Sequence, residues 1–266
     1  MRPSIAAAVR LARHRPRKLH TCGAGCARPL SGCQCRRPRL HRRESTVSGY
    51  EVDIITHHIG GSDYRLRVLR DKQQYADPDG SAERAGVSPA SWPLFGVVWP
   101  AGLALAEEMS RFPVAGKSIL ELGCGIGLSS LVLAHRGANI TACDYHPLAG
   151  EFLKRNAELN GLGPIPFHTA PWTGPNPRLG RYDLIIGSDL LYERDHAALL
   201  AGFIEHHAGD AAQVLIADPG RGYVKPFSAL LTTRGFVRSE QRMPMAGSVG
   251  MPASRGQLFS FVRSAA

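Results

Sequence analysis

A seven-residue run, Glu121-Leu122-Gly123-Cys124-Gly125-Ile126-Gly127, constrains this chain more than any other stretch. It follows the apolar Ser118-Ile119-Leu120 and leads into an apolar, helix-like segment from Leu128 to His135. A strand, a glycine turn and a helix in that order form the place where an α/β sheet binds a nucleotide-like ligand. The glycine spacing narrows the ligand. A dinucleotide fingerprint reads G-x-G-x-x-G, whereas these glycines fall at Gly123, Gly125 and Gly127. Glu121 opens the loop and would repel a pyrophosphate at close range. It suits a ligand with an ammonium group and no phosphate, and S-adenosylmethionine is such a ligand.

The chain has 266 residues and a formal charge of +10, which reads as a nucleic-acid signal until it is divided. Residues 1–47 hold twelve Lys/Arg and one acid, Glu44. Residues 48–266 hold twenty Lys/Arg and twenty-one acids, so the body is near neutral. Three segments are expected: a basic, disordered tail over 1–47, a hairpin and loop over 48–91, and a catalytic domain over 92–266. The tail has three readings, which are a disordered extension, a mitochondrial presequence, and a zinc site at Cys22, Cys26, Cys33 and Cys35. The last has spacings that fit an ordinary knuckle poorly. The other two cysteines, Cys124 and Cys143, adjoin predicted strands, so the set is no secreted disulfide framework. No apolar run approaches a membrane span. A soluble, monomeric, cytoplasmic protein is expected, or a mitochondrial matrix protein if the tail is a presequence. No histidine pair has metal-ligand spacing, and no metal is expected.

Alternation around Ile59-Gly60-Gly61-Ser62 predicts a hairpin from Tyr50–Thr56 and Asp63–Leu69. Residues 71–90 read as a loop, with a turn at Asp77–Gly80. Pro100 should start a helix reaching about Arg111. Strands are expected at 118–122, 139–143, 165–169, 182–188 and 213–217, with helices at 127–136, 147–160, 195–208 and 224–233. Two final strands follow at 235–242 and 257–263. Strands alternating with helices imply a doubly wound, mostly parallel, seven-stranded Rossmann-like sheet carrying an N-terminal hairpin.

Ligands in such sheets bind beyond the carboxyl ends of the strands. There the sequence places the glycine loop, Asp144 for the ribose hydroxyls, Trp172 to stack on an adenine, and Ser188-Asp189-Leu190-Leu191-Tyr192. Taken alone, Asp189 reads as a helix cap, Tyr192, Trp99 and Trp172 as packing residues, and Cys124 as a small buried side chain. Taken together and in order, they resemble the class I, seven-strand S-adenosylmethionine-dependent methyltransferases, and within them methyltransferase family 16, which holds many protein-lysine methyltransferases.

The matching residues are Trp99-Pro100-Ala101-Gly102 before the first strand, Glu121–Gly127, Asp144, Asn156 and Asn160 ending a helix, Trp172, and Asp189-Leu190-Leu191-Tyr192 as a D-x-x-Y motif. Asp218-Pro219-Gly220-Arg221 resembles the branch containing the electron-transfer-flavoprotein β-subunit lysine methyltransferase. Pro171 departs from the pattern, standing where many relatives carry an acid that reaches the adenine amino group.

The resemblance implies S-adenosyl-L-methionine as cofactor, bound by Trp99, Glu121, Gly123, Gly125, Gly127, Asp144, Trp172 and Ser188. It implies a protein lysine as acceptor, with Asp189 orienting the amine and Tyr192 shaping its channel. A small-molecule N-methyltransferase is the nearest rival, because fold does not dictate function. A base methyltransferase is disfavoured because Ser188–Leu191 lacks an Asn/Asp-Pro-Pro-aromatic run. Nucleic-acid binding by the tail is disfavoured because it lacks interleaved aromatics. An NAD-dependent oxidoreductase is disfavoured by the glycine spacing.

Overall fold

The structure is a computed structural model that describes residues 41–44 (backbone), 49–220, 222–247 and 251–265. The tail cysteines and Arg221 lie outside the described residues. In chain order the elements are β1 (His41–Glu44), β2 (Val52–Ile59), β3 (Ser62–Leu69), α1 (Ser81–Arg84), a 3-10 turn (Trp92–Gly96), α2 (Pro100–Met109), β4 (Ser118–Leu122), α3 (Leu128–His135), β5 (Asn139–Asp144), α4 (Ala149–Leu159), β6 (Phe167–Thr169), β7 (Tyr182–Ser188), α5 (His196–His207), β8 (Ala208–Asp218), α6 (Val224–Thr232), β9 (Val237–Met245) and β10 (Ser254–Arg263).

The main sheet runs β6-β5-β4-β7-β8-β10-β9, parallel from β6 to β8, with β10 antiparallel to both of its neighbours. The connection order reverses between β4 and β7, which opens a crevice at their carboxyl ends. The strands there are buried on both faces. Leu184 and Ile186 pack with α2 and α3, while Ile185 packs with α5 and α6. The expected continuous apolar run of β7 follows from that double burial.

The sequence reading and the structure part at two places. The loop expected over 71–90 contains the one-turn helix α1. The Asp77 carboxylate accepts the amides of Ala82 and Glu83, each at 2.9 Å, and so satisfies the orphan donors of a helix start. Strand β6 begins at Phe167 and not at Ile165, because Pro164 and Pro166 interrupt the run and Pro166 has no amide to contribute. Between β6 and β7 the chain crosses without a helix, and that loop carries Trp172 to the crevice.

The hairpin β2–β3 turns through Gly60 and Gly61, with φ of +56° and +85°. Two successive positive φ values match the twist of a two-residue hairpin. Its β3 edge is covered by helix α4. Asn156 Oδ1 accepts the Arg67 amide at 2.6 Å, and its Nδ2 donates to Ile126 O at 2.9 Å. One turn on, Asn160 accepts the Arg65 amide at 2.9 Å and donates to the Arg65 carbonyl at 2.8 Å. Four helical residues rise about 6 Å and two strand residues about 6.8 Å, so the N-x3-N spacing fits alternate strand residues. Asn156 thereby ties the hairpin to the glycine loop through Ile126. Asn156→Ala should lower stability by about 3 kcal/mol, because it strands a buried amide and a buried carbonyl. Urea unfolding checks this, and a loss below about 1 kcal/mol would contradict it.

Candidate active site

All three loop glycines adopt positive φ, at +57° (Gly123), +53° (Gly125) and +81° (Gly127). At Gly125 a Cβ would stand 2.7 Å from the Phe95 carbonyl oxygen, a backbone atom that cannot step aside. Gly123 and Gly125 line the crevice. Gly127 instead precedes the first residue of α3, and its Cβ would strike Leu153 of α4 at 2.2 Å. Gly127 lies outside the pocket lining and shapes the start of the helix.

Glu121 ends β4 beneath this loop. Its carboxylate accepts the Ser130 amide at 2.9 Å and the Ser130 hydroxyl, in the first turn of α3. Burial pushes its pKa up to about 7, against the hydrogen bonds from Ser130. Asp144 ends β5. One of its carboxylate oxygens accepts the Gly125 amide and the other the His146 amide, both at 2.8 Å. A carboxylate has about four acceptor positions, so acceptor capacity remains for a ligand. Burial also raises the Asp144 pKa, which backbone hydrogen bonds from His146, Gly125 and Tyr145 oppose.

Trp99 Nε1 donates to Leu94 O at 2.8 Å, which locks the indole at the start of α2. A Cβ on Gly102, one turn into that helix, would meet Ser188 Oγ at 3.5 Å. The glycine of Trp99–Gly102 thus lets α2 approach the end of β7. Asp189 has φ +55° and is the one non-glycine residue in the left-handed region among those described. Its amide donates to Ala217 O at 2.9 Å. Helix α5 begins seven residues later with Asp195 at its cap, so Asp189 is no helix cap. Trp172 and Tyr192 both meet the ring of His196, edge-on, with centroids at 5.4 and 4.5 Å.

Trp99, Glu121, Gly123, Gly125, Asp144, Trp172, Ser188, Asp189 and Tyr192 therefore converge on one cavity of about 600 Å³. The structure adds residues that sequence reasoning missed. Tyr145 and His146 follow Asp144 directly, and Glu193 and His196 follow Tyr192. The Tyr145 and Tyr192 hydroxyls interact, and burial pushes both phenols up. His146 stacks on Phe95 with centroids at 3.8 Å, and burial lowers its pKa to about 4. Adjacency to Asp144 was the only signal for Tyr145 and His146. The wall from Ala85 to Val98 is an aperiodic loop and carried none.

The lining includes four carboxylates, on Glu121, Asp144, Asp189 and Glu193, and no lysine or arginine among the described residues. Such a wall repels phosphate and favours a cation. It fits S-adenosylmethionine. The remaining acceptor capacity of Asp144 suits a ribose hydroxyl, the indoles of Trp99 and Trp172 suit the flat and apolar parts, and the carboxylates suit a sulfonium and an ammonium. Among the described residues, no helix is long and apolar enough to cross a membrane.

Comparison with known proteins agrees with this geometry. Residues 94–223 match the family described as lysine methyltransferase. The electron transfer flavoprotein beta subunit lysine methyltransferase of Rattus norvegicus is 39% identical over 143 residues, covering 52% of this chain and 55% of the relative. The protein N-lysine methyltransferase METTL21A of Danio rerio is 35% identical over 130 residues, covering 46% of this chain and 59% of the relative. The chain thus matches somewhat more than half the length of these curated relatives. A solved structure described as "Conversion of a Disulfide Bond into a Thioacetal Group during Echinomycin Biosynthesis" shares the fold. It is 21% identical with a TM-score of 0.54, and the match covers 69% of this chain and 91% of that one. With the strand order, the glycine loop and the acid at the end of β5, these matches make residues 94–223, a little under half of the chain, similar to the lysine methyltransferase family.

Proposed function

We propose that this protein transfers a methyl group from S-adenosylmethionine to a lysine side chain of a protein. The observation that carries the reading is a cavity that joins the cofactor-type donor set of Asp144 and the glycine loop to Asp189 and Tyr192, in a wall with four carboxylates and no lysine or arginine among the described residues. Bound there, the cofactor supplies an activated methyl on a sulfonium, so transfer needs alignment more than acid–base force. Asp144 holds the ribose, Gly123 and Gly125 let the ligand approach the backbone, and Trp99, Trp172 and Ser188 flank it. Asp189 and Tyr192 stand at the end of β7 and orient the incoming amine. An ammonium has no lone pair, and a lysine has a reference pKa near 10.4. The acidic wall draws the ammonium in, and a proton must then leave it.

The names of the relatives make the β subunit of electron transfer flavoprotein the first acceptor to try. The test is incubation with methyl-labelled S-adenosylmethionine, that subunit and a cell lysate, followed by hydrolysis of the protein fraction. Labelled methyl-lysine is the expected product. Label confined to small molecules would overturn the protein acceptor, and failure to bind S-adenosylmethionine would overturn the enzyme reading.

Glu121 gives the reading a pH signature. Its pKa in the folded protein is about 7 and its reference value is 4.5. Below pH 4.5 both states hold the proton. Between those values only the folded state does, so this group's contribution to stability is lost as pH rises through 7. Asp144, also raised, acts with the same sign. A cationic cofactor favours the carboxylates, so binding should release a proton below pH 7. Affinity should therefore rise from about pH 5.5 to 7.5 and then level off, and Glu121→Gln should flatten the curve. Calorimetry in buffers of different ionisation enthalpy measures the proton release, and an equal slope in the glutamine variant would contradict the assignment.

A further inference from the structure

Removing the proton from the incoming ammonium requires a group with a free lone pair, and most titratable groups of the cavity cannot serve. Burial pushes the phenols of Tyr145 and Tyr192 and the thiol of Cys124 up, so all three stay protonated. His146 Nδ1 accepts the Leu148 amide at 3.2 Å, so in the neutral ring Nε2 carries the proton and can accept none. Glu121 is engaged with Ser130, and Asp144 with two backbone amides.

His196 has the opposite arrangement. Its Nδ1 lies 2.8 Å from the Leu190 carbonyl oxygen, which can only accept, so Nδ1 carries the hydrogen. The lone pair of the neutral ring is then on Nε2, 3.4 Å from a Glu193 carboxylate oxygen. His196 is 14% exposed and Glu193 63%, so the pair leads from the cavity to solvent. The titratable groups facing the ring are Glu193 and Tyr192, with Tyr145 against Tyr192. On its other side stands Trp172, which does not titrate.

We propose that His196 is the proton acceptor for the lysine ammonium. One N–H bond of the ammonium breaks, and its electron pair stays on the nitrogen as the attacking lone pair. The proton forms a new bond to Nε2 of His196. Glu193 holds the imidazolium, which returns its proton to water before the next cycle. The Leu190 carbonyl on Nδ1 sets the tautomer, and the Glu193 carboxylate beside Nε2 stabilises the cation.

The inference rests on the methyl-transfer reading. An unaltered protein that labels no acceptor would overturn that reading and this one together. With an active protein, His196→Asn isolates the proton step, because the asparagine amide can still donate to Leu190 while Nε2 is lost. With the electron transfer flavoprotein β subunit as acceptor, turnover at pH 7.5 should fall at least about 10-fold. Binding of S-adenosylhomocysteine should stay within about threefold of the unaltered protein. The deficit should shrink to under about threefold near pH 10, where the lysine ionises unaided. Unchanged turnover at pH 7.5, or a deficit constant across pH, overturns the proposal. Should the asparagine variant fold poorly, His196→Gln carries the same expectation, since its amide cannot take a proton.

Discussion

Asp189→Gly is expected to lower methyl transfer by about 10²-fold or more while leaving the protein as stable as before, or more so. An ordinary active-site substitution removes a contact and tells little about why the residue is there. Here the backbone separates the two roles. Asp189 sits at φ +55°, where a Cβ crowds the chain, and its amide is held by Ala217 O at 2.9 Å. A residue other than glycine pays roughly 1–2 kcal/mol in that region. Glycine relieves the strain but loses roughly 0.5–1 kcal/mol more chain entropy on folding. The net change lies between zero and a gain of about 1.5 kcal/mol. The carboxylate is lost outright, and with it the group proposed to orient the amine, so kcat should drop by about 10²-fold or more. Strain that persists only for the sake of a side chain is a mark of a functional position. Thermal unfolding and single-turnover transfer test both halves. Retained turnover, or destabilisation beyond about 2 kcal/mol, would contradict this account.

Asp144→Ala should act on the other half of the reaction, lowering affinity for S-adenosylhomocysteine by about 10² or more. Hydrogen bonds to a charged group contribute roughly 1.5–3 kcal/mol each, and those to the ribose would add up. The loss should exceed that simple sum. The carboxylate also accepts the Gly125 and His146 amides, so its removal frees the glycine loop that faces the ligand. Asp144→Asn should not rescue binding, because one oxygen becomes an NH2 that faces a backbone N–H. Calorimetric titration decides the matter, and an affinity within about threefold of the unaltered protein would falsify the ribose assignment. Together the two variants test the proposed division of the cavity, with Asp144 expected to control binding of the donor and Asp189 transfer.

Much of this was legible in the residues alone, for physical reasons. Alternation of apolar strands with helices, punctuated by Gly and Pro, dictated the doubly wound sheet. The α/β architecture then forced Glu121, Asp144, Trp172 and Asp189 toward one edge, because strand ends share an edge. Local backbone demands were legible too. Gly60-Gly61 specified a tight turn and Gly123–Gly127 a loop of positive φ.

What the sequence could not show depends on contacts between segments far apart in the chain. Asn156 and Asn160 read as a helix ending until the structure showed them closing the β3 edge 89 and 95 residues away. Gly127 shares a motif with Gly123 and Gly125 but faces Leu153 instead of the cavity. His196, seven residues past Asp189, had no spacing to mark it. Its tautomer is set by the Leu190 carbonyl and its partner by a turn that only the folded chain defines. Periodicity and motif order determined the fold and the strand-end residues of the cavity, Tyr192 included, because those depend on local backbone and strand ends. That Tyr145, Glu193 and His196 join Tyr192 there was decided by tertiary packing of loops that carry no repeat of their own.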